Sequence, residues 1–135
     1  NAIIPQYQSI LASGFDFHAV EDLVIPKGET RLVKTGLSFE VPEGYEMQIR
    51  PRSGTSLKTK LRICNSPGTI DADYRGEIGV ILVNLSAEDF TINDGDRIAQ
   101  MVIAKHETAT WEEVNTLEET ERGEGGFGSS GVAKK

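Results

Sequence analysis

The sequence predicts a mostly β protein, a sandwich or barrel, and three observations carry that prediction. Apolar residues alternate with period two, in Leu37, Phe39 and Val41 and again in Tyr45, Met47 and Ile49. Turn signals separate the apolar runs, so that strands recur roughly every 8 to 14 residues, the spacing of an all-β chain. Helix signals, by contrast, are thin.

Along the chain, Leu23 to Ile25 and Arg31 to Lys34 read as strands around the turn Pro26-Lys27-Gly28. Leu37 to Val41 and Tyr45 to Ile49 flank Pro42-Glu43-Gly44 and are expected to pair as a hairpin. Ser56 to Leu61 has room for one or two helical turns. Ile78 to Val83 is apolar on both faces apart from Gly79, which suits a central strand, and the strand is expected to run to Asn84. Phe90 to Ile92 and Ile98 to Ala104 follow, separated by Asn93-Asp94-Gly95. Trp111, Val114 and Leu117 fit either a helix face or a frayed strand. From Glu118 onward the Glu-, Gly- and Ser-rich sequence cannot pack a core of its own. The expected organisation is one domain over residues 1–135, of which 119–135 form a mobile Gly-rich arm.

Composition narrows the function classes. The 135 residues hold 14 Lys and Arg against 21 Asp and Glu, a net charge of -7 that argues against nucleic acid as a bulk partner. Between Met47 and Ile70, however, there is no acid, while Arg50, Arg52, Lys58, Lys60 and Arg62 form a basic island. That island is either a solvated face or a site for a small polyanion. No apolar run approaches the ~20 residues of a membrane helix, and no basic N-terminus precedes one, so no membrane is expected. The lone cysteine, Cys64, excludes an internal disulfide and fits a reducing cytoplasm, and its residue type suggests the core.

Several motifs have both a functional and a structural explanation. Gly123 to Gly128 satisfies GxGxxG, but no strand precedes it and no helix follows, so a dinucleotide fold is excluded. The same segment, with Phe127 among glycines between Arg122 and Ser129-Ser130, is either a disordered tail or an arm able to close over a nucleotide. Asp71 to Gly76 resembles the start of a calcium loop, yet its twelfth position is Leu82 rather than Glu. Asp73 and Gly76 are explained by turn chemistry; Asp71 is not, and stands as a candidate catalytic acid or base. Arg52-Ser53-Gly54 is either a phosphate cradle ahead of a short helix or a loop ending in an N-cap serine. His18 and His106 lack metal-ligand spacing and read as structural or surface residues.

Five segments in order resemble the five motifs of the homotrimeric dUTP diphosphatase (dUTPase) family: Ala12 to Phe17, Pro51 to Gly54, Gly68 to Glu77, Gly95 to Gln100, and Arg122 to Gly131. The resemblance implies a jelly-roll-like β-barrel or sandwich subunit assembling as a homotrimer, with sites shared between chains and closed by a neighbour's arm. It implies hydrolysis of dUTP to dUMP and pyrophosphate with Mg2+, lowering dUTP and supplying dUMP for thymidylate synthesis. By the same resemblance Asp71 is the general base for water attacking the α-phosphate. Arg52, Ser53, Gly54 and Gln100 hold phosphates together with Arg122, Ser129 and Ser130 of the arm. Asn65, Thr69, Ile70 and Gly79 read uracil, Tyr74 packs beneath deoxyribose, Phe127 stacks on the base beside Gly128, and Asp16 holds water ligands of the metal. Thr55-Ser56, Phe17 and Ser130 stand where the family more often has Leu-Ala, Leu and Thr.

The rival within this fold is a dCTP deaminase, which needs a catalytic glutamate where this chain has Ile81, a residue unable to move protons. A second rival, a noncatalytic nucleotide-sensing or partner-binding relative, leaves Asp71, Gln100 and the arm unexplained.

Overall fold

Short apolar runs bounded by Gly, Pro, Asn and Asp fold into strands because each run can bury one face while the turns carry the solvated backbone. The computed structural model describes residues 1–133. The elements are β1 (Gly14–His18), β2 (Leu23–Ile25), β3 (Thr30–Lys34), β4 (Tyr45–Arg50), α1 (Ser53–Lys58), β5 (Leu61–Ile63), β6 (Gly68–Ile70), β7 (Gly79–Asn84), β8 (Phe90–Ile92) and β9 (Arg97–Lys105). They form three antiparallel sheets, ordered β1-β9-β4-β6, β3-β7-β5 and β2-β8. The mostly β expectation holds.

The core lies between the sheets. Phe17, Ile25, Val33, Met47, Ile78, Val80, Leu82, Ile92 and Met101 are all but fully buried. Strand β7 is central to its sheet, as expected, but its two faces differ: Val80 and Leu82 enter the core whereas Gly79, Ile81 and Val83 face outward. Asn84 ends the strand as a buried polar bracket, its Nδ2 donating to Ile25 O at 3.0 Å and Glu88 O at 2.7 Å while Oδ1 accepts from Ser86. All of its capacity is used, so burial leaves no orphan.

The expected hairpin does not form. Residues 37–41 are extended without a ladder, and β4 pairs with β6 and β9 instead. Alternation there reports burial rather than strand pairing: Leu37 and Phe39 pack on the core, Val41 is inside it, and the Phe39 ring lies 6.0 Å from that of Phe17. The turn itself is present, with Gly44 at φ +89° and Tyr45 N donating to Pro42 O at 3.1 Å. Cys64 is exposed, not core; its backbone N–H continues the β5–β7 ladder to Ile81 O, which turns the thiol outward. Trp111, Val114 and Leu117 lie in neither helix nor strand, and Trp111 and Leu117 are almost wholly exposed.

Candidate active site

The long strand β9 organises the first cluster. Gln100 lies opposite Asp16 on β1 and opposite Arg50 on β4, so three polar side chains meet at one level of the large sheet. Immediately after β4 the chain runs through Pro51 and Arg52 into α1, and Gln100 Nε2 donates to Pro51 O at 2.9 Å, fixing that passage to the sheet. Arg52 Nε donates to Asp16 Oδ1 at 2.9 Å, and Arg97 Nε stands 3.8 Å from Asp16 Oδ2. Asp16 is mostly buried and bridges two guanidinium groups, which holds the Arg52 side chain in one place while leaving part of its donor fork for another anion.

Helix α1 begins with Arg52 as its N-cap residue, not Ser53, and no side chain caps it. Its first turn bond is Ser56 N to Arg52 O at 3.0 Å, so the earlier amides lie ahead of that bond. Arg50, Arg52, Ser53, Ser56, Ser66 and Gln100 line a cavity of about 580 Å³ here. Gly54 sits beside it, with open space where a Cβ would be. The basic island therefore divides. Arg50 and Arg52 border this cavity, whereas Lys58, Lys60 and Arg62 border a different groove past the helix C-terminus.

A second cluster forms where β6 and β7 meet. Asn65, Thr69, Ile70, Tyr74 and Gly79 line one cavity of about 230 Å³. Three elements contribute apolar walls that sequence reading missed: Leu32 from β3, Ile49 from β4 and Ile81 from β7. Nothing local in the sequence marks them, since they reach the cavity through cross-strand register. Tyr74 folds back over its own turn, its hydroxyl donating to Glu77 O at 2.9 Å and its ring lying where a side chain on residue 76 would have to go. Gly76 is thus required for room, not for a left-handed backbone as turn chemistry suggested.

Asp71 follows directly on β6, exposed, and its backbone O accepts from Tyr74 N at 3.1 Å. Among the described residues its carboxylate enters no ion pair. The two clusters share no lining residue, and β4 shows why: Gln48 and Arg50 line the first cavity, Ile49 the second, and successive strand residues point to opposite faces.

Among the described residues, the arm joins neither cluster. Its hydrogen bonds are internal, Gly125 N to Arg122 O, Ser129 N to Gly126 O and Arg122 Nε to Gly125 O, and Phe127 is fully exposed. Residues 134 and 135 of the expected 119–135 arm lie outside the described residues. No group of three metal-binding side chains occurs among the described residues. His18, expected to be structural or surface, ends β1 with its Nδ1 buried and unpartnered, and His106 is exposed.

Comparison with known proteins adds three findings. The dUTPase family model matches residues 1–131. The deoxyuridine 5'-triphosphate nucleotidohydrolase of Helicobacter hepaticus is 56% identical over 135 residues, covering 100% of this chain and 85% of that protein. The Staphylococcus bacteriophage 80alpha dUTPase, solved with dUPNHPP, superposes with a TM-score of 0.89 at 32% identity, covering 97% of this chain and 93% of that one. A mutant dUTPase of S. aureus phage phi11, described as revealing the coordination of a structural Mg(II) ion, gives 0.81 at 28% identity over 87% and 93% of the two chains.

Proposed function

The chain belongs to the dUTPase family and is a dUTP diphosphatase, and from that premise we propose how its two clusters divide the work. The β6–β7 cavity takes the uracil, read by Asn65, Thr69 and Ile70 with Gly79 in the cavity wall, and Tyr74 lies beneath the deoxyribose. The Arg52, Ser53, Gly54 and Gln100 cluster takes the phosphates. Asp71 accepts a proton from the water whose oxygen attacks the α-phosphorus. The bond from that phosphorus to the bridging oxygen breaks, and pyrophosphate leaves with the electron pair. Such chemistry asks a protein mainly for positioning and charge stabilisation, which the preorganised Arg52 supplies.

The observation that carries this reading is the convergence of Asn65, Thr69, Ile70, Tyr74 and Gly79 on one cavity that also has the apolar side chains of Leu32, Ile49 and Ile81 in its lining. A pyrophosphate-release assay across dUTP, dTTP, dCTP and UTP tests it, with dUTP expected as the preferred substrate. Tyr74→Ala should narrow the preference for dUTP over UTP about tenfold or more, because the ring leaves no room or partner for a 2′-hydroxyl. An unchanged ratio would assign sugar choice to another residue.

The two clusters face opposite sides of β4, so the base and phosphate sites of one chain suit different substrate molecules, and a complete site is assembled between chains. We therefore read the enzyme as a homotrimer with shared sites. Exposed Ile4, Ile10, Leu11, Trp111 and Leu117 supply apolar surface of the kind that subunit interfaces cover. Light scattering at micromolar concentration should report the mass of three chains; a fully active monomer would refute the shared site.

Mg2+ fits this donor set in one way. It favours one or two carboxylates plus substrate phosphates over a protein cage, and Asp16, beside Arg52 at the phosphate cavity, is the carboxylate that would hold it, through water. When bound it neutralises charge on the triphosphate. No helix among the described residues is long and apolar enough to cross a membrane, and the single exposed, unpaired cysteine suits a reducing cytoplasm.

A further inference from the structure

Glycine at position 79 invites the explanation that a base edge approaches bare backbone there. In the structure the space above Gly79 is already filled. A Cβ on residue 79 would lie 2.5 Å from Leu32 Cδ1 and 3.0 Å from Leu32 Cγ. Gly79 therefore makes room for Leu32, which lies across it.

Register explains the contact. Leu32 pairs directly with Ile81, and Gly79 precedes Ile81 by two residues, on the same outward face. The neighbouring pair Val33 and Val80 points the other way and is fully buried in the core. Leu32 is 55% exposed, too open to be explained as core packing, yet it lines the cavity that holds Asn65, Thr69 and Tyr74.

Resting on the reading of that cavity as the uracil pocket, we propose that Leu32 is a specificity-determining residue for the base: lying over Gly79, it limits the room in the pocket and excludes pyrimidines larger than uracil, beginning with thymine. Uracil and thymine present the same hydrogen-bonding groups and differ by one methyl, so only shape can separate them. Cytosine differs in its donors and acceptors, so polar groups such as Asn65 can sort it. Leu32 has no polar atom and reads volume alone. A single methyl in an apolar pocket is commonly worth about 10- to 200-fold in discrimination.

The test compares kcat/KM for dUTP, dTTP and dCTP in the wild-type and Leu32→Ala enzymes, with a thermal melt of each. Leu32→Ala is expected to raise the dTTP-to-dUTP ratio about tenfold or more, while the dCTP-to-dUTP ratio stays within about threefold. An unchanged dTTP ratio, or a parallel rise for dCTP, would overturn the proposal. A wild-type enzyme with no preference for dUTP over dTTP and dCTP would instead refute the pocket assignment on which it rests. Should Leu32→Ala not fold, Leu32→Val carries the same test with a smaller shift in the same direction. The contact has its own check. Gly79→Ala should lower kcat/KM for dUTP by displacing Leu32, and Gly79→Ala combined with Leu32→Ala should recover part of that loss. Absence of any recovery would show that the two residues do not act on the pocket together.

Discussion

Replacing Asp71 by Asn should lower kcat for dUTP about 10²-fold or more while leaving dUTP affinity within a few-fold of the wild type. The amide keeps the size and hydrogen-bonding shape of the carboxylate, so the water still has a partner, but it cannot take the proton as the phosphorus–oxygen bond forms. Position supports the choice of Asp71. It is exposed at the end of β6, directly beside the cavity residues Thr69 and Ile70, and no cation of the described residues is paired with it. Asp73 provides the control, since it lies in the exposed turn two residues on. Asp73→Asn should keep near-normal turnover. Stopped-flow or steady-state pyrophosphate detection separates the outcomes, and near-normal turnover of Asp71→Asn would remove Asp71 as the base.

Truncation after Thr120 should leave folding and assembly intact yet cut turnover on the order of 10²-fold, because the groups that complete the site are lost. Arg122, Gly128 and Ser129 hydrogen-bond only within their own segment among the described residues. Among the described residues, no core side chain comes from it. Ordering the segment costs roughly 1 to 2 kcal/mol per backbone residue, which contacts with a bound nucleotide must offset. The proposed closure would then exclude bulk water and bring the Arg122 charge to the phosphates. Phe127→Ala should reproduce part of the loss by removing the stacking face. Kinetics and solution mass of the truncated protein decide the matter: retained activity, or loss of folding, contradicts this account of the arm.

Legibility in the sequence followed physical length scale. Strands β2 and β8 were readable residue for residue, because turn-forming residues bound each of them. Strands β5 and β6 were missed, because Leu61 closes the run Ser56 to Leu61 that has room for helical turns and Gly68-Thr69-Ile70 holds a single large apolar residue. Residues 37–41 show the opposite failure, since alternation is produced by any extended segment with one face on the core. The candidate site was legible as motifs and their order, which is how Asn65, Thr69, Tyr74 and Gly79 were placed together. Its walls were not. Leu32 and Ile81 meet through a pairing between strands almost fifty positions apart, and no local pattern encodes that register. Nor did the sequence show that Arg52 and Asp16 are salt-bridged partners, because nothing in either motif refers to the other.

The placement of the two cavities proposed for base and phosphates on opposite faces of β4 has a genetic consequence. On the proposed reading that each site is assembled from different chains, an allele defective only at Asp71 and an allele defective only at Arg52 fail in different contributions. Alone, each yields inactive enzyme. Expressed together, mixed trimers would contain some sites in which both contributions come from intact chains. The two alleles are therefore expected to complement within one gene, which would make the assembly rather than the single chain the unit on which selection acts.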